Sequence, residues 1–215
     1  VVRVVIALQP GSRPAHLLPS HSQVPRMAKP PDDPKSSMAD RVGFRIMEVE
    51  FNHVNGGSFS VTVTKSRGDT TVVPAVQKIL DDERAKGLDT LNPYLEFAER
   101  VVQTKHDLLK FVEAAHSEGK SVAVLGASTK GNVLLQYCGL TSQQIQYVGE
   151  VNAEKFGCYT PGTWIPIIPE DELLAMKPDY LIVLPWHFKD FFLKSHKLSG
   201  ETLVFPLPYV EVIKR

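Results

Sequence analysis

The alternation of apolar and polar positions changes character along the chain, and each change marks a predicted element. Residues 1–6 form a short apolar run carrying one Arg, ended by Pro10 and Gly11. Residues 7–40 have no hydrophobic period. Pro10, Pro14, Pro19, Pro25, Pro30, Pro31 and Pro34 recur among Ser, His and Lys. Proline removes a backbone donor and fixes φ, so residues 1–40 read as a disordered Pro-rich leader. A ligand for a proline-binding domain is the weighed alternative. From residue 44 a two-residue period begins. Phe44, Ile46, Glu48, Glu50 and Phe51 form one strand-like run. Phe59, Val61 and Val63 alternate with Ser60, Thr62 and Thr64 in a second. Asn55-Gly56-Gly57 between them is a turn signal, which predicts a β-hairpin within residues 41–66. A lone hairpin is marginal in water, so it needs a neighbour.

Residues 67–119 switch to helical spacing. Pro74 opens a helix over 74–87, with Val76, Ile79 and Leu80 on one side and Gly87 as its stop. Asn92 is a good N-cap and Pro93 suits the first turn. Leu95, Ala98, Val101, Val102, Leu108, Leu109 and Val112 then recur every three or four residues as far as Gly119. About 26 residues at 1.5 Å each give a rod of roughly 39 Å, either a spine between two lobes or a cover for one. From residue 120 the pattern is strand, turn and helix, repeated. Strands are predicted at 121–125, 147–151, 165–168, 180–184 and 202–205, and helices at 131–138, 170–176 and 188–196. Unbroken apolar strands between helices imply a parallel sheet covered on both faces. The expected fold class is therefore α/β: a small Rossmann-like parallel-sheet domain over 120–215. The β-hairpin, a helical linker with the long helix and the Pro-rich disordered leader precede it.

Composition narrows the function classes. The 215 residues hold 24 Lys plus Arg and 24 Asp plus Glu, a formal charge of zero. Such a chain has no bulk field to recruit nucleic acid or an anionic membrane. It also lacks an apolar run of about 18 residues, so no membrane helix is expected. Cys138 and Cys158 cannot form a disulfide framework or complete a four-ligand zinc site by themselves. A cytoplasmic location is the simplest expectation. The chain starts at Val1 and not at Met, as expected of a fragment, a processed chain or a misassigned gene start.

In a doubly covered parallel sheet, ligands bind outside the carboxyl ends of the strands. Three segments are expected there. Gly126, Ala127, Ser128, Thr129, Lys130, Gly131 and Asn132 follow a strand and open a helix. Their backbone amides and Lys130 suit a phosphate or pyrophosphate, although neither the P-loop nor the dinucleotide glycine spacing is present. A plain tight turn is the competing reading. Glu150 ends the next strand, 24 residues after Gly126, where a carboxylate can accept ribose hydroxyls or simply face solvent. The third group is Thr160-Pro161-Gly162-Thr163 with Pro185-Trp186-His187. Trp186 can stack on a base, and His187 is either a base or donor near neutral pH or a helix cap. His53 precedes a turn and has no acidic partner in sequence, His106 and His116 read as exposed on helix faces, Cys138 as core, Cys158 as a loop thiol and Asp81-Asp82-Glu83-Arg84 as a solvated helix face.

Read in order, several of these motifs resemble one family. Gly126-Ala127-Ser128-Thr129-Lys130-Gly131-Asn132 is followed by Tyr137-Cys138-Gly139 and by Tyr159-Thr160-Pro161-Gly162-Thr163-Trp164-Ile165-Pro166-Ile167. Pro178-Asp179-Tyr180, Leu184-Pro185-Trp186 and the closing Pro206-Leu207-Pro208-Tyr209-Val210-Glu211-Val212 complete the series. Together they are similar to the C-terminal domain of S-adenosylmethionine (SAM)-dependent sugar C-methyltransferases. Residues 43–64, with Asn55-Gly56-Gly57-Ser58, resemble the last hairpin of the preceding methyltransferase domain.

The resemblance implies a three-part enzyme with a zinc-binding region, a SAM-binding catalytic domain and this Rossmann-like domain. Such enzymes methylate a carbon of a nucleotide-linked keto-sugar through an enolate. On this basis the substrate-binding candidates are Gly126, Ala127, Ser128, Thr129, Lys130, Asn132, Glu150, Thr160, Trp186 and His187, and no catalytic residue is assigned. S-adenosylmethionine is the cofactor of the full family enzyme, with none expected on this chain alone. The family's acidic glycine-rich turn, zinc cysteines and Glu-His pair have no counterpart here. His187 stands where Asn is expected and Tyr209 where Glu is common. The expected function is the nucleotide-sugar-binding part of a C-methyltransferase, inactive alone, with a catalytic methyltransferase domain or chain as partner. The alternatives are a non-catalytic interaction module that completes such a partner and, lower in rank, an NAD-dependent oxidoreductase.

Overall fold

A computed structural model describes residues 2–6, 38–52, 57–68 and 71–215. The chain divides into two compact units, Val1–Leu95 and Glu96–Arg215.

The first unit holds β1 (Val2–Ile6), α1 (Met38–Arg41), β2 (Phe44–Asn52), β3 (Ser58–Lys65) and α2 (Pro74–Ala85). The expected hairpin is present: β2 and β3 pair antiparallel, from Phe44 opposite Lys65 to Asn52 opposite Ser58, with an irregularity between Ile46 and Glu48. Its neighbour is β1, which pairs antiparallel with the other edge of β3, Val2 opposite Val63 and Ile6 opposite Phe59. Reading residues 1–40 as one unstructured leader did not include this strand, nor α1. A Val-Arg-Val-Val-Ile run has high β preference, and loop-closure cost grows only slowly with loop length. The proline-rich residues 7–37 lie outside the described residues, as do His53 and the Asn55-Gly56 pair of the predicted turn. α2 begins at Pro74, buries Val76 and ends at Ala85 with Lys86 as its cap, and Gly87 follows in the left-handed region at φ +69°.

The second unit contains most of α3 (Asn92–Ser117), whose buried residues Leu108, Val112 and Ala115 all fall in its carboxyl half. The remaining elements are β4 (Val122–Leu125), α4 (Thr129–Cys138), β5 (Val148–Glu150), β6 (Ile167–Pro169), α5 (Glu170–Ala175), β7 (Tyr180–Val183), α6 (Lys189–Lys194), β8 (Thr202–Phe205) and β9 (Glu211–Lys214). They form a six-stranded sheet in the order β6-β5-β4-β7-β8-β9. The first five strands are parallel and β9 runs antiparallel to β8.

Strand side chains alternate between faces, and two cores result. Val122 and Val124 join Leu108, Val112, Leu135 and Ile182 on one face. Ala123 and Leu125 join Leu173, Leu181, Val183 and Leu203 on the other. This accounts for the absence of polar positions in β4 and β7, since both faces are covered. The predicted helix over 188–196 is instead a 3-10 turn (Trp186–Phe188), α6 and a second 3-10 turn (His196–Leu198). Asp179 ties the amino ends of β4 and β7 together by accepting from the Ser121 amide at 2.8 Å and its hydroxyl at 2.9 Å.

Candidate functional site

The turn after β4 is shaped by a glycine, a cap and a strut. The Gly126 N–H donates to the Gly149 carbonyl at 2.8 Å, and its φ of +82° lies in the left-handed region. Pro185 packs directly over it: a Cβ at residue 126 would sit 2.7 Å from Pro185 Cγ. Glycine meets both demands at once. Ser128 is extended at φ −85° and ψ 153°, and its hydroxyl oxygen accepts the Gly131 N–H at 3.0 Å, the bond of an N-cap. One of the donors that every helix leaves unpaired in its first turn is thereby used inside the chain.

The strut is Glu150. Its Oε2 accepts from the Ala127 N–H at 3.0 Å and from Lys155 Nζ at 3.0 Å. Its Oε1 accepts from the Val151 N–H at 2.8 Å and the Asn152 N–H at 3.1 Å. A carboxylate offers about four lone-pair positions, and four donors of the chain meet them. Burial pushes this carboxyl upward, but the bonds from Asn152, Lys155 and Val151, with the lysine charge, outweigh it and hold the group below its ordinary range. Glu150, expected either to accept ribose hydroxyls or to face solvent, thus has its acceptor positions met by the chain's own donors. Lys155 also donates to the Ala127 carbonyl at 3.0 Å. Sequence reading missed this lysine. Its one local signal is Asn152, which caps the 3-10 turn Ala153–Lys155 by accepting the Glu154 N–H at 3.1 Å.

The carboxyl end of β7 lies beside the turn. The Leu184 N–H donates to the Leu125 carbonyl at 3.0 Å, and Gly131 packs against the Leu184 side chain. Trp186 is half-buried against both cores, and its ring meets His187 edge-on, 6.0 Å between centroids at 82°. The His187 ring also lies 4.3 Å from that of Phe188. Burial first, and the charge of Lys130 second, hold the imidazole below its ordinary range. Two polar atoms here are buried without a hydrogen-bond partner, Asn132 Oδ1 and His187 Nδ1.

Gly126, Ala127, Ser128, Lys130, Asn132, Glu150, Trp186 and His187 are thus gathered at the carboxyl ends of β4, β5 and β7, and Thr129 opens α4 in the same turn. Thr160 is not with them. The chain that leaves β5 must return to the opposite end of the sheet to enter β6 in parallel. Tyr159 bridges Pro166, just before the amino end of β6. Thr160 is 1% exposed. Its hydroxyl oxygen accepts the Ile165 N–H at 2.9 Å and shares a 2.6 Å hydrogen bond with the Thr163 hydroxyl. It buckles its own turn, apart from the other candidates. Gln136 tethers that turn to α4 through Nε2 and the Pro161 carbonyl at 2.7 Å.

Cys138 is buried, and burial pushes its thiol up to about 11 against the pull of Lys105. Among the described residues no helix is long and apolar enough to cross a membrane. No group of three or more His, Cys, Asp or Glu able to hold a metal occurs among them either.

Residues 53–208 match the model of the family described as C-methyltransferase C-terminal domain. The chain is also 33% identical over 174 residues to the C-methyltransferase NovU of Streptomyces niveus, an alignment covering 80% of this chain and 41% of that protein. It therefore spans less than half the length of the curated relative it matches. With that match running from just before β3 through β4, its capped turn and β8, the chain belongs to the C-methyltransferase C-terminal domain family.

Proposed function

We propose that this chain supplies the nucleotide-sugar-holding part of a C-methyltransferase, with residues 128–130 taking the ligand's diphosphate. The observation that carries this reading is the turn after β4. Glu150 and Lys155 brace its backbone, Ser128 caps the helix that follows, and Lys130 brings a cation close enough to act on His187. A lysine at a helix amino end is suited to phosphate, because both the charge and the peptide dipoles favour an anion. Trp186 adjoins the same turn through Pro185 and offers an aromatic edge.

S-adenosylmethionine is the methyl donor expected of full-length family members. The residues of this turn do not fit it: the sulfonium and amino groups are cationic where Lys130 is cationic. The carboxylate that would hold its ribose, Glu150, is saturated by the chain. The same saturation counts against a nicotinamide dinucleotide. On this reading the chain binds the sugar nucleotide, does not transfer methyl groups by itself, and works with a catalytic methyltransferase domain or chain.

Thermal melting with TDP- and UDP-sugars, set against S-adenosylmethionine and NAD, tests the assignment. A ligand at about 100 times its Kd stabilises the fold by about 2.7 kcal/mol. Sugar nucleotides are expected to raise Tm, the other two are not, and Lys130→Ala is expected to remove the rise. A Lys130→Ala protein that melts with the full shift would end the assignment.

A further inference from the structure

The first unit carries a cavity of its own. It measures about 240 Å³ and is lined by Leu80, Glu83 and Arg84 of α2, by Leu88 and Asp89 of the connection that follows, and by Tyr94 of α3. All six belong to Val1–Leu95. Local bonds fix the walls. Gly87, at φ +69°, turns the chain out of α2, and its carbonyl accepts the Thr90 N–H at 2.9 Å and the Thr90 hydroxyl at 2.7 Å. The Tyr94 hydroxyl donates to the Leu88 carbonyl at 2.7 Å, which ties the first turn of α3 to the connection.

The lining sets the chemistry of what enters. Leu80, Leu88 and Tyr94 give apolar wall. Arg84 already has a partner, its Nη1 lying 3.0 Å from Asp81 Oδ1. The carboxylates of Glu83 and Asp89 have none among the described residues. Two unmatched negative charges beside apolar wall and an aromatic ring suit a cation on an alkyl stem. The stem covers the leucines, the carboxylates meet the charge, and the face of a tyrosine ring attracts it as well. A guanidinium meets these demands better than an ammonium, because it is less strongly hydrated and stacks on aromatic rings.

Size and surroundings set the source of that cation. Pockets that enclose a small molecule hold about 300–1,000 Å³, and this cavity lies below that range. Beside it, Leu91 and Leu95 are 59% and 51% exposed. Both are close to Tyr94 along the helix start, where the Leu91 carbonyl accepts the Tyr94 and Leu95 N–H groups at 3.1 Å. An anchor side chain in a pocket, with apolar neighbours that keep water out, is the pattern of a protein–protein contact, and arginine is among the residues enriched as anchors.

We propose that this cavity receives an arginine side chain of a partner protein, with Leu91 and Leu95 covered by apolar residues beside that arginine. The charge complementarity of Glu83 and Asp89 selects a basic partner over an acidic one. The surface belongs to the first unit and does not depend on the anion seat at residues 128–130.

The test is an NMR titration of the full chain with two capped tripeptides, Leu-Arg-Leu and Leu-Glu-Leu, and with butylguanidinium. Leu-Arg-Leu is expected to shift the Leu88 and Tyr94 amide signals. It should bind about two- to fivefold more tightly than Leu-Glu-Leu, the worth of an exposed ion pair. The double variant Glu83→Gln, Asp89→Asn changes only exposed side chains and is expected to erase that preference. Leu91→Ser with Leu95→Ser is expected to bring the arginine peptide down to the affinity of butylguanidinium. Equal affinity of the two peptides for the wild type overturns the proposal, and so does a preference that survives the loss of both carboxylates. Butylguanidinium that binds the wild type as tightly as Leu-Arg-Leu makes the cavity a small-cation site and overturns the protein partner. Leu88 and Tyr94 signals that stay in place with every probe overturn the site itself.

Discussion

Glu150 and Ala127 are joined by a hydrogen bond of 3.0 Å from the Ala127 amide to the carboxylate, so the end of β5 holds the turn that follows β4. Three further donors converge on the same side chain. Glu150→Gln keeps the shape but turns one acceptor into a donor facing donors. It is expected to destabilise the fold by about 1–3 kcal/mol, read from urea denaturation at neutral pH. The pH dependence has a definite sign. The carboxyl is held below its ordinary range in the folded chain. Its contribution is therefore present above about pH 4 and is lost as pH falls through the lowered folded value. Wild-type stability should fall more steeply than that of Glu150→Gln in this acid window.

Gly126 answers to two constraints that alanine violates separately. Its φ of +82° disfavours any Cβ, and that Cβ would meet Pro185 Cγ at 2.7 Å and Cδ at 2.8 Å. A left-handed conformation costs an L-residue about 1–2 kcal/mol, and overpacking adds about 1–3 kcal/mol. Gly126→Ala is therefore expected to lose about 2–5 kcal/mol, measured by chemical denaturation. A variant within about 0.5 kcal/mol of the wild type would show that Pro185 moves aside freely. Gly131→Ala makes a useful contrast. Its backbone is helical, so only the contact with the fully buried Leu184 opposes the added methyl.

The parallel sheet is legible in the sequence because double burial leaves no room for polar positions in Val122–Leu125 or Leu181–Val183. Helix ends were equally plain where local chemistry sets them, as at Pro74 and at Gly119, whose φ is +70°. Long-range relationships were harder. β1 finds β3 across more than fifty residues, and nothing local announces it. Lys155 reaches Ala127 and Glu150 only because a 3-10 turn folds it back. The position of Thr160 follows from topology. A loop that begins at the carboxyl end of β5 must finish at the amino end of β6, so its second half lies away from the turn that follows β4. The glycine, cap and lysine of the turn were readable, whereas the saturation of Glu150 needed the positions of four donors in space.

His187 gives a second pH signature, independent of ligand. Burial and then Lys130 hold its folded pKa below the ordinary histidine value. As pH falls, the unfolded chain takes up this proton first. Stability is therefore complete above about pH 6.5 and declines as pH falls from there through the lowered folded value. His187→Phe is expected to flatten the Tm profile in this range, measured by calorimetric scans in buffers of matched ionic strength. An unchanged slope would mean that the imidazole protonates without penalty.

Thr160 carries the sharpest separation between fold and ligand. Its hydroxyl oxygen accepts the Ile165 N–H at 2.9 Å and pairs with Thr163 at 2.6 Å, at a site 1% exposed. Thr160→Val preserves volume and branching while removing that oxygen. The Ile165 amide and the Thr163 hydroxyl then lose a partner inside the protein, at a cost of about 1–3 kcal/mol in unfolding free energy. Because this turn sits by the amino end of β6, the affinity for a sugar nucleotide at the proposed seat, residues 128–130, should be unchanged. A ligand therefore stabilises Thr160→Val by the same increment as the wild type, from a lower starting Tm. If the increment itself collapses while the variant remains folded, Thr160 contacts the ligand and the buckle is not its principal role.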